Sequence, residues 1–325
     1  MHPFSFTRAR TIDAALAAGA RGGRYLAGGT TLVDLMRETV ERPSSVVDIN
    51  DLPLHEISST SSGLRIGALA RMSDVGAHPA VRTRYPAIAQ ALELSASAQL
   101  RNAASIGGNL MQRTRCTYFR DVSASCNKRE PGTGCAALHG HNRTHAILGT
   151  SEACVAAHPS DLAVALLALD AVIHLRSRAG ARSVPVANFL LRPGTTPERE
   201  HDIRPGELIT AVDVPAAAHT RTSGYLKVRD RQSYEFALTS AAVALHIEED
   251  VIRSARVAVG GVATVPWRLP AVEHRLLGAR PSRQLWVDAA AKAADGARSL
   301  RHNAFKAELL RRTVARQLGT VGGRK

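Results

Sequence analysis

The chain has 325 residues, 45% of them hydrophobic and 22% charged, a balance that suits a globular protein with core enough for two or three domains. No apolar run of about 18 residues occurs, so no membrane-spanning helix is expected. The net charge of +14 is spread along the whole length without a recognition-helix pattern or an aromatic platform, which argues against a dedicated nucleic-acid binder. What remains is a solvated arginine-rich surface with some attraction for anionic cofactors and acidic partners. The N-terminus carries Asp13 and no continuous apolar stretch, so it does not read as a cleaved signal. The expectation is a chain folded in the cytoplasm, reaching the periplasm only if co-exported with a signal-bearing partner.

Residues 1 to 53 read as short alternating elements: an edge strand at Phe4 to Phe6, a helix from Thr11 or Asp13 through Ala20, and a strand ending at Tyr25 and Leu26. Gly28 and Gly29 then allow a turn that most side chains would obstruct. Thr30 and Thr31 start a helix with Leu32, Leu35 and Met36 on one face. Backbone N–H groups at such a turn make an anion site, although a Gly-Gly pair before a helix is more often a tight turn alone. Neither G-x-G-x-x-G nor a Walker lysine is present. Val46 to Ile49 is the next strand, closed by Asn50, Asp51 and Pro53.

Two strands, His55 to Ser59 and Leu64 to Gly67, precede helices near Ser73 to Ala77 and from Pro86 to Ala96, the latter with Ile88, Leu92 and Ala91 or Ser95 facing inward. A second glycine turn follows at Ser105, Gly107, Gly108 and Asn109. Two such nests in one chain suit a diphosphate gripped from both sides.

All four cysteines, Cys116, Cys126, Cys135 and Cys154, lie between residues 113 and 158 in the spacing C-x9-C-x8-C-x18-C. The segment has no apolar periodicity, and Pro131, Gly132, Gly134 and Gly140 break it, so something besides core burial must order it. Disulfides suit small secreted modules, and structural zinc takes closely paired thiols. Four well-separated thiolates suit the corners of a 4Fe-4S cube best, with unliganded buried thiols as a further reading. His139, His141 and His145 read as surface groups or as groups behind ligands.

Past the last cysteine, Pro159, Ser160 and Asp161 precede an apolar helix, with Asp161 balanced between a cap and a ligand contact. A hairpin over Val172 to Arg176 and Arg182 to Val186 follows, then a strand at Glu207 to Val214 and a linker from Ala216 to Arg221. Three strands, Gly224 to Val228, Thr239 to Ile247 and Arg253 to Val262, suggest a small antiparallel sheet. Helices fill the rest, the last near Ala304 to Leu318. Lys227, Arg229 and Arg231 alternate as a solvated edge would, unless one of them points into a cleft.

These segments together resemble the flavin-binding subunits of the xanthine dehydrogenase family over essentially the whole length, and most closely the flavin subunit of three-subunit bacterial molybdenum aldehyde oxidoreductases. The residues that carry the resemblance are A-G-G-T at Ala27 to Thr30, A-S-I-G-G-N at Ala104 to Asn109, P-S-D-L at Pro159 to Leu162, G-E-L-I at Gly206 to Ile209 and the run from Lys227 to Ala237. It implies an α+β fold with a PCMH-type (vanillyl-alcohol-oxidase-like) FAD-binding domain over residues 1–217, in parts 1–53 and 54–217. A small antiparallel sheet packed on about three helices would follow over 218–325. It also implies non-covalent FAD held by Leu26, Ala27, Gly28, Gly29, Thr30, Thr31, Leu32, Val33, Asp34, Ser105, Gly108, Asn109, Asp161, Ile209 and Lys227. Thr31 stands where an asparagine is often found.

The stretch R-C-T-Y-F-R-D, followed by C-N-K-R-E-P-G-T-G-C-A-A-L, is similar to the branch whose loop binds a 4Fe-4S cluster, which implies that Cys116, Cys126, Cys135 and Cys154 are its ligands. The resemblance implies no general acid or base on this chain. A large molybdenum-cofactor subunit would oxidise an aldehyde, and a small 2Fe-2S subunit would pass the electrons to FAD and on to an external acceptor, with the cluster a relay or an anchor. Tyr118 and Phe119, beside Cys116, are expected to shield the flavin. The rival readings are the flavin subunit of a hydroxybenzoyl-coenzyme A reductase, with electrons flowing inward, and a zinc-stabilised scaffold without flavin.

Overall fold

A computed structural model of the chain describes residues 1–323, and three sheets organise it. The first is parallel, in the order β1 (Ser5–Arg8), β3 (Ser45–Asp48), β2 (Arg24–Leu26). Parallel neighbours need long crossovers, supplied here by the helices Ile12–Ala20 and Leu32–Arg37. Thr11 starts the first of these, its hydroxyl accepting from the Ala14 amide at 3.1 Å. Ala15, Leu16, Val47 and Leu52 bury its inner face against Leu69 and Leu208 of the next layer.

The second sheet is antiparallel, with β4 (Ile57–Ser59), β5 (Gly63–Gly67), β6 (Val172–Ser177), β7 (Gly180–Pro185) and β8 (Leu208–Pro215) in the order β4-β5-β8-β6-β7. The helices Pro86–Leu94 and Asp161–Ala168 pack with it around Tyr85, Ile88, Leu92 and Phe189. The Pro86 helix stops at Leu94, two residues before the expected end, because Ala96 turns into the left-handed region at φ +47°. Helices at Pro79–Arg84 and Ala98–Ala103 were not expected from the sequence; each is only six residues long, too short for a periodic signal.

The third sheet, in the order β12 (Trp267–Arg268), β11 (Val251–Gly260), β10 (Thr239–Glu248), β9 (Ser223–Val228), is also antiparallel. Glu249 and Asp250, both at positive φ, close the β10–β11 hairpin, as a two-residue turn of the right twist requires. Helices Pro270–Leu276, Arg283–Ala290 and Phe305–Gly322 cover one face, burying Leu310, Val314 and Leu318. The last helix runs past its expected end to Gly322, where Gly323 at φ +71° ends it. The other face of this sheet joins the middle layer: Tyr225, Ala242, Ala244 and Ala258 belong to the same core as Leu92 and Leu166. Among the described residues no helix is long and apolar enough to cross a membrane.

Candidate cofactor site

The first glycine segment joins β2 to the helix Leu32–Arg37. Gly29 takes the left-handed conformation at φ +72°, so the backbone there curls as a nest does. Gly28 is required for a different reason: a Cβ on it would lie 1.9 Å from the Ala103 carbonyl oxygen. The first turn is thus pressed against the chain that leads into the second.

The second segment, expected as a glycine turn, is helical. Ile106–Leu110 is a short helix, capped by Ser105, whose Oγ accepts from the Gly108 amide at 3.1 Å. Its glycines serve close packing, since a Cβ on Gly107 would sit 3.1 Å from Ala68. Arg71 ties both segments together, donating to the Ala103 carbonyl at 2.5 Å and to Asn50 Oδ1 at 2.9 Å; Asn50 in turn donates to the Ala27 carbonyl at 3.0 Å.

Two chambers open on either side of this waist, and Gly29, Thr30, Thr31 and Gly108 line both. One, of about 380 Å³, lies between the first two sheets and is walled by Leu26, Ala27, Gly28, Leu32, Ser105 and Ile209. The other, of about 660 Å³, faces the third sheet and is walled by Val33, Asp34, Asn109 and Asp161. A long, two-ended ligand with charge at its middle would span both, with its diphosphate at the waist.

The chamber walls also include residues that sequence reasoning did not name as individual contacts. Ile203 to Leu208 close the first chamber, held there by the buried Glu207, which Arg182 grips with two hydrogen bonds of 2.7 Å, and by Tyr25, whose hydroxyl donates to the Gly206 carbonyl at 3.1 Å. Arg115, Tyr234 and Phe236 stand on the second, with the Arg115 guanidinium 5.3 Å from the Phe236 ring centre. Gly206 to Leu208, Arg115, Tyr234 and Phe236 fall inside the segments that carry the family resemblance, whereas Ile203 to Pro205 lie outside them. Asp34 pairs with Arg120 and, at 3.3 Å, with Arg115, so the helix Leu32–Arg37 is bound to the cysteine segment.

Asp161 and Lys227 depart from a simple ligand role. Ser160 is the helix cap, its Oγ accepting from the Ala163 amide at 3.0 Å and donating to Asn109 Oδ1 at 2.6 Å. The Asp161 carboxylate accepts from Ser95 at 3.0 Å, from the Tyr225 hydroxyl at 2.6 Å and from Lys227 Nζ at 2.8 Å. Burial first, and Asp161 second, push the Tyr225 hydroxyl well above its ordinary range. The Lys227 side chain is 1% exposed and lines neither chamber. Lys227 lies behind Asp161 and fastens β9 to the middle layer. Nor is it part of a solvated edge.

The four cysteines are all free thiols and line one small cavity with Tyr118, Phe119, Lys128 and Ala156. Asn127 shapes this loop, its Oδ1 accepting from the amides of Gly132 and Gly134, both at positive φ. Burial pushes the thiols of Cys116 up to about 12 and Cys154 up to about 11, so a cationic centre is needed to hold them as thiolates. Among the described residues no group of three or more His, Cys, Asp or Glu side chains is placed to hold a metal ion. His145 is buried, with Nε2 3.2 Å from Cys116 Sγ. Phe119 is wholly buried, and the Tyr118 hydroxyl accepts from the His141 amide at 2.6 Å. Both rings line the cysteine cavity and neither chamber.

Residues 2–217 match the family described as the FAD-binding domain in molybdopterin dehydrogenase, and residues 224–320 match the CO dehydrogenase flavoprotein C-terminal domain. The chain is 46% identical over 320 residues to an aldehyde oxidoreductase FAD-binding subunit of Escherichia coli K12, covering 97% of each. It is 30% identical to the glyceraldehyde dehydrogenase medium chain of Sulfolobus acidocaldarius, covering 90% of this chain and 88% of that one. A CO dehydrogenase chain from Oligotropha carboxidovorans superposes over the full length of both at a TM-score of 0.77 and 21% identity, a likeness of fold. With both matched domains in order along the chain and two chambers meeting at its glycine segments, the protein belongs to the FAD-binding subunits of the xanthine dehydrogenase family of molybdenum-containing oxidoreductases.

Proposed function

We propose that this chain is the electron-carrying flavin subunit of a molybdenum-containing aldehyde oxidoreductase. It receives electrons from a molybdenum-cofactor subunit by way of a 2Fe-2S subunit and delivers them to an external acceptor. The observation that carries the reading is the pair of chambers joined at Gly28, Gly29 and Gly108, together with 46% identity to an aldehyde oxidoreductase subunit. In this reading residues 1–217 form the FAD-binding domain, in parts 1–53 and 54–217, and residues 218–325 form the C-terminal domain.

The chain's own work is binding and placement. The curled backbone at Gly29 and the capped start of Ile106–Leu110 would face the diphosphate, and Ile209 and Leu26 wall the chamber on one side of it. Asp161, held from behind by Lys227 and Tyr225, walls the chamber on the other side, which Phe236 and Tyr234 also line. FAD bound there supplies the exchange between paired and single electrons. Neither glycine segment contains His or Cys, which fits non-covalent binding.

Cys116, Cys126, Cys135 and Cys154 line one cavity, and this shared lining is what supports a 4Fe-4S cluster as a relay or anchor in this chain. The test is the visible spectrum of the anaerobically purified assembly, with acid-released flavin, iron and sulfide counted per chain. Flavin that stays bound after acid precipitation, or no flavin at all, would sink the FAD assignment. Flavin without iron and sulfide would sink the cluster assignment alone. Turnover of an aromatic aldehyde in the assembled complex checks the substrate class.

A further inference from the structure

The cysteine loop is gripped from the far end of the chain by two wholly buried polar side chains, Asn303 and Lys306. Lys306 Nζ donates to the carbonyls of Thr144 at 2.9 Å, His145 at 3.0 Å and Gly261 at 2.8 Å, which uses all three of its N–H bonds. Asn303 Nδ2 donates to the carbonyls of His145 and Ala146, each at 3.3 Å. A peptide held at its carbonyl by two neighbours leaves its side chain little freedom. That side chain is the imidazole of His145, 3% exposed, with Nε2 3.2 Å from Cys116 Sγ.

Which nitrogen carries the proton follows from the partners. His145 Nδ1 is buried with no partner, and a buried orphan N–H costs more than a buried orphan lone pair. A thiolate sulfur only accepts. The arrangement that leaves least unpaired has Nε2–H donating to Cys116. A lysine buried on carbonyls alone, with no carboxylate bonded to it, is costly unless negative charge lies close by. Burial, and after it Arg143, lowers Lys306 to about 7, with Asp230 acting the other way, and thiolate charge in the cysteine cavity would further favour its ammonium form.

We propose that His145 donates its Nε2–H to the Cys116 thiolate of the cysteine-bound centre, that Lys306 is the positioning residue that aims it, and that together they raise the reduction potential of that centre. This rests on the cluster reading given above. A hydrogen bond to a ligand sulfur draws off negative charge and so favours the reduced, more negative state; a buried ammonium acts in the same sense through the low local dielectric.

The experiment uses the whole assembly, purified anaerobically as wild type, His145→Leu, His145→Gln and Lys306→Met. Iron and acid-labile sulfide are counted first, and each sample is then titrated at set potentials while the reduced-cluster electron paramagnetic resonance signal is followed. His145→Leu should keep its iron and show about a tenfold smaller reduced-to-oxidised ratio at the wild-type midpoint, which is about 59 mV for a one-electron couple. His145→Gln, which still offers an N–H, should lie nearer to wild type, and Lys306→Met should shift in the same direction as His145→Leu. Should Lys306→Met not assemble, Lys306→Gln decides the point. An unmoved midpoint in His145→Leu overturns the inference, as does a glutamine variant no different from leucine. Lys306 variants with a wild-type midpoint overturn its positioning role. Wild type without iron and sulfide overturns the cluster reading and this inference with it, whereas iron present with an unmoved midpoint removes this inference only.

Discussion

At Gly28 a single methyl group decides whether two segments some 75 residues apart can touch. Its Cβ would meet the Ala103 carbonyl oxygen at 1.9 Å, and backbone cannot step aside as a side chain can. Gly28→Ala should therefore part the two glycine segments while leaving each sheet intact. The expected result is at least tenfold weaker flavin retention, about 1.4 kcal/mol, with an unchanged far-ultraviolet circular dichroism spectrum; full flavin content in the variant would contradict the waist as the diphosphate grip. The ion pair of Asp161 and Lys227 works differently, because both side chains are nearly inaccessible, at 6% and 1% exposure. Asp161→Asn leaves a buried ammonium without its counter-charge, at a cost of about 3–5 kcal/mol. Adding Lys227→Met should recover part of that loss. A double-mutant cycle on chemical denaturation measures the coupling, and strictly additive losses would show that the pair does not act as a unit.

Among the elements, the helix Asp161–Ala168 has the most to hold in place. Its cap is shared: the Ser160 hydroxyl accepts from the Ala163 amide and donates to Asn109 in the second glycine segment. Ser160→Ala should cost about 1 kcal/mol for the cap, and about 1–3 kcal/mol more if Asn109 Oδ1 is left without a partner. The denaturation midpoint should fall, and flavin retention should fall with it, since the helix start and the glycine segment move together; a loss of stability with unchanged flavin binding would separate the two roles. The cysteine loop is an element of another kind. With little regular structure, it is ordered by Asn127 on two glycine amides, by Arg129 on the carbonyls of Tyr118 and Phe119, and by the grip of Asn303 and Lys306. Hydrogen bonds, with Phe119 as an apolar peg, do here what a core does elsewhere.

Across the whole molecule, buried charge fastens the parts to one another. Arg113 bonds Glu41 of the first layer at 2.7 Å, Glu200 at 2.5 Å and the Lys128 carbonyl of the cysteine loop at 3.2 Å, while Lys128 meets Glu200 at 3.1 Å. Beside this network lie His158 and His201. Burial, the largest cause for both, lowers the first to about 3 and the second to about 4. Both are then neutral in the fold but charged in the unfolded chain below about pH 6.5. Between about pH 6.5 and 4 the unfolded chain binds more protons, so stability falls as the pH drops through that window. At pH 5 the loss is about 2 kcal/mol for each histidine. Thermal denaturation at pH 7.5 and pH 5 should show a lower midpoint at pH 5, and His201→Gln, which can keep the hydrogen bond to the Leu110 carbonyl, should shrink the difference. An equal midpoint at both values would rule out the histidines as the acid-labile point.

Local order was readable from residues alone. Thr11 and Ser160 cap the helices they precede, the hairpin strands alternate, and the glycine segments stand out because few residues tolerate their geometry. So was the family, through short runs whose order along the chain is itself a signal. The sequence could not show that Gly107 and Gly108 serve packing within a helix start, that Lys227 turns inward to Asp161, that Tyr118 and Phe119 close the cysteine cavity, or that Lys306 reaches back 161 residues to His145. Propensity and periodicity act over a few residues, whereas a buried charge or a close contact acquires its meaning from whatever the folded chain brings against it, and only tertiary structure decides that.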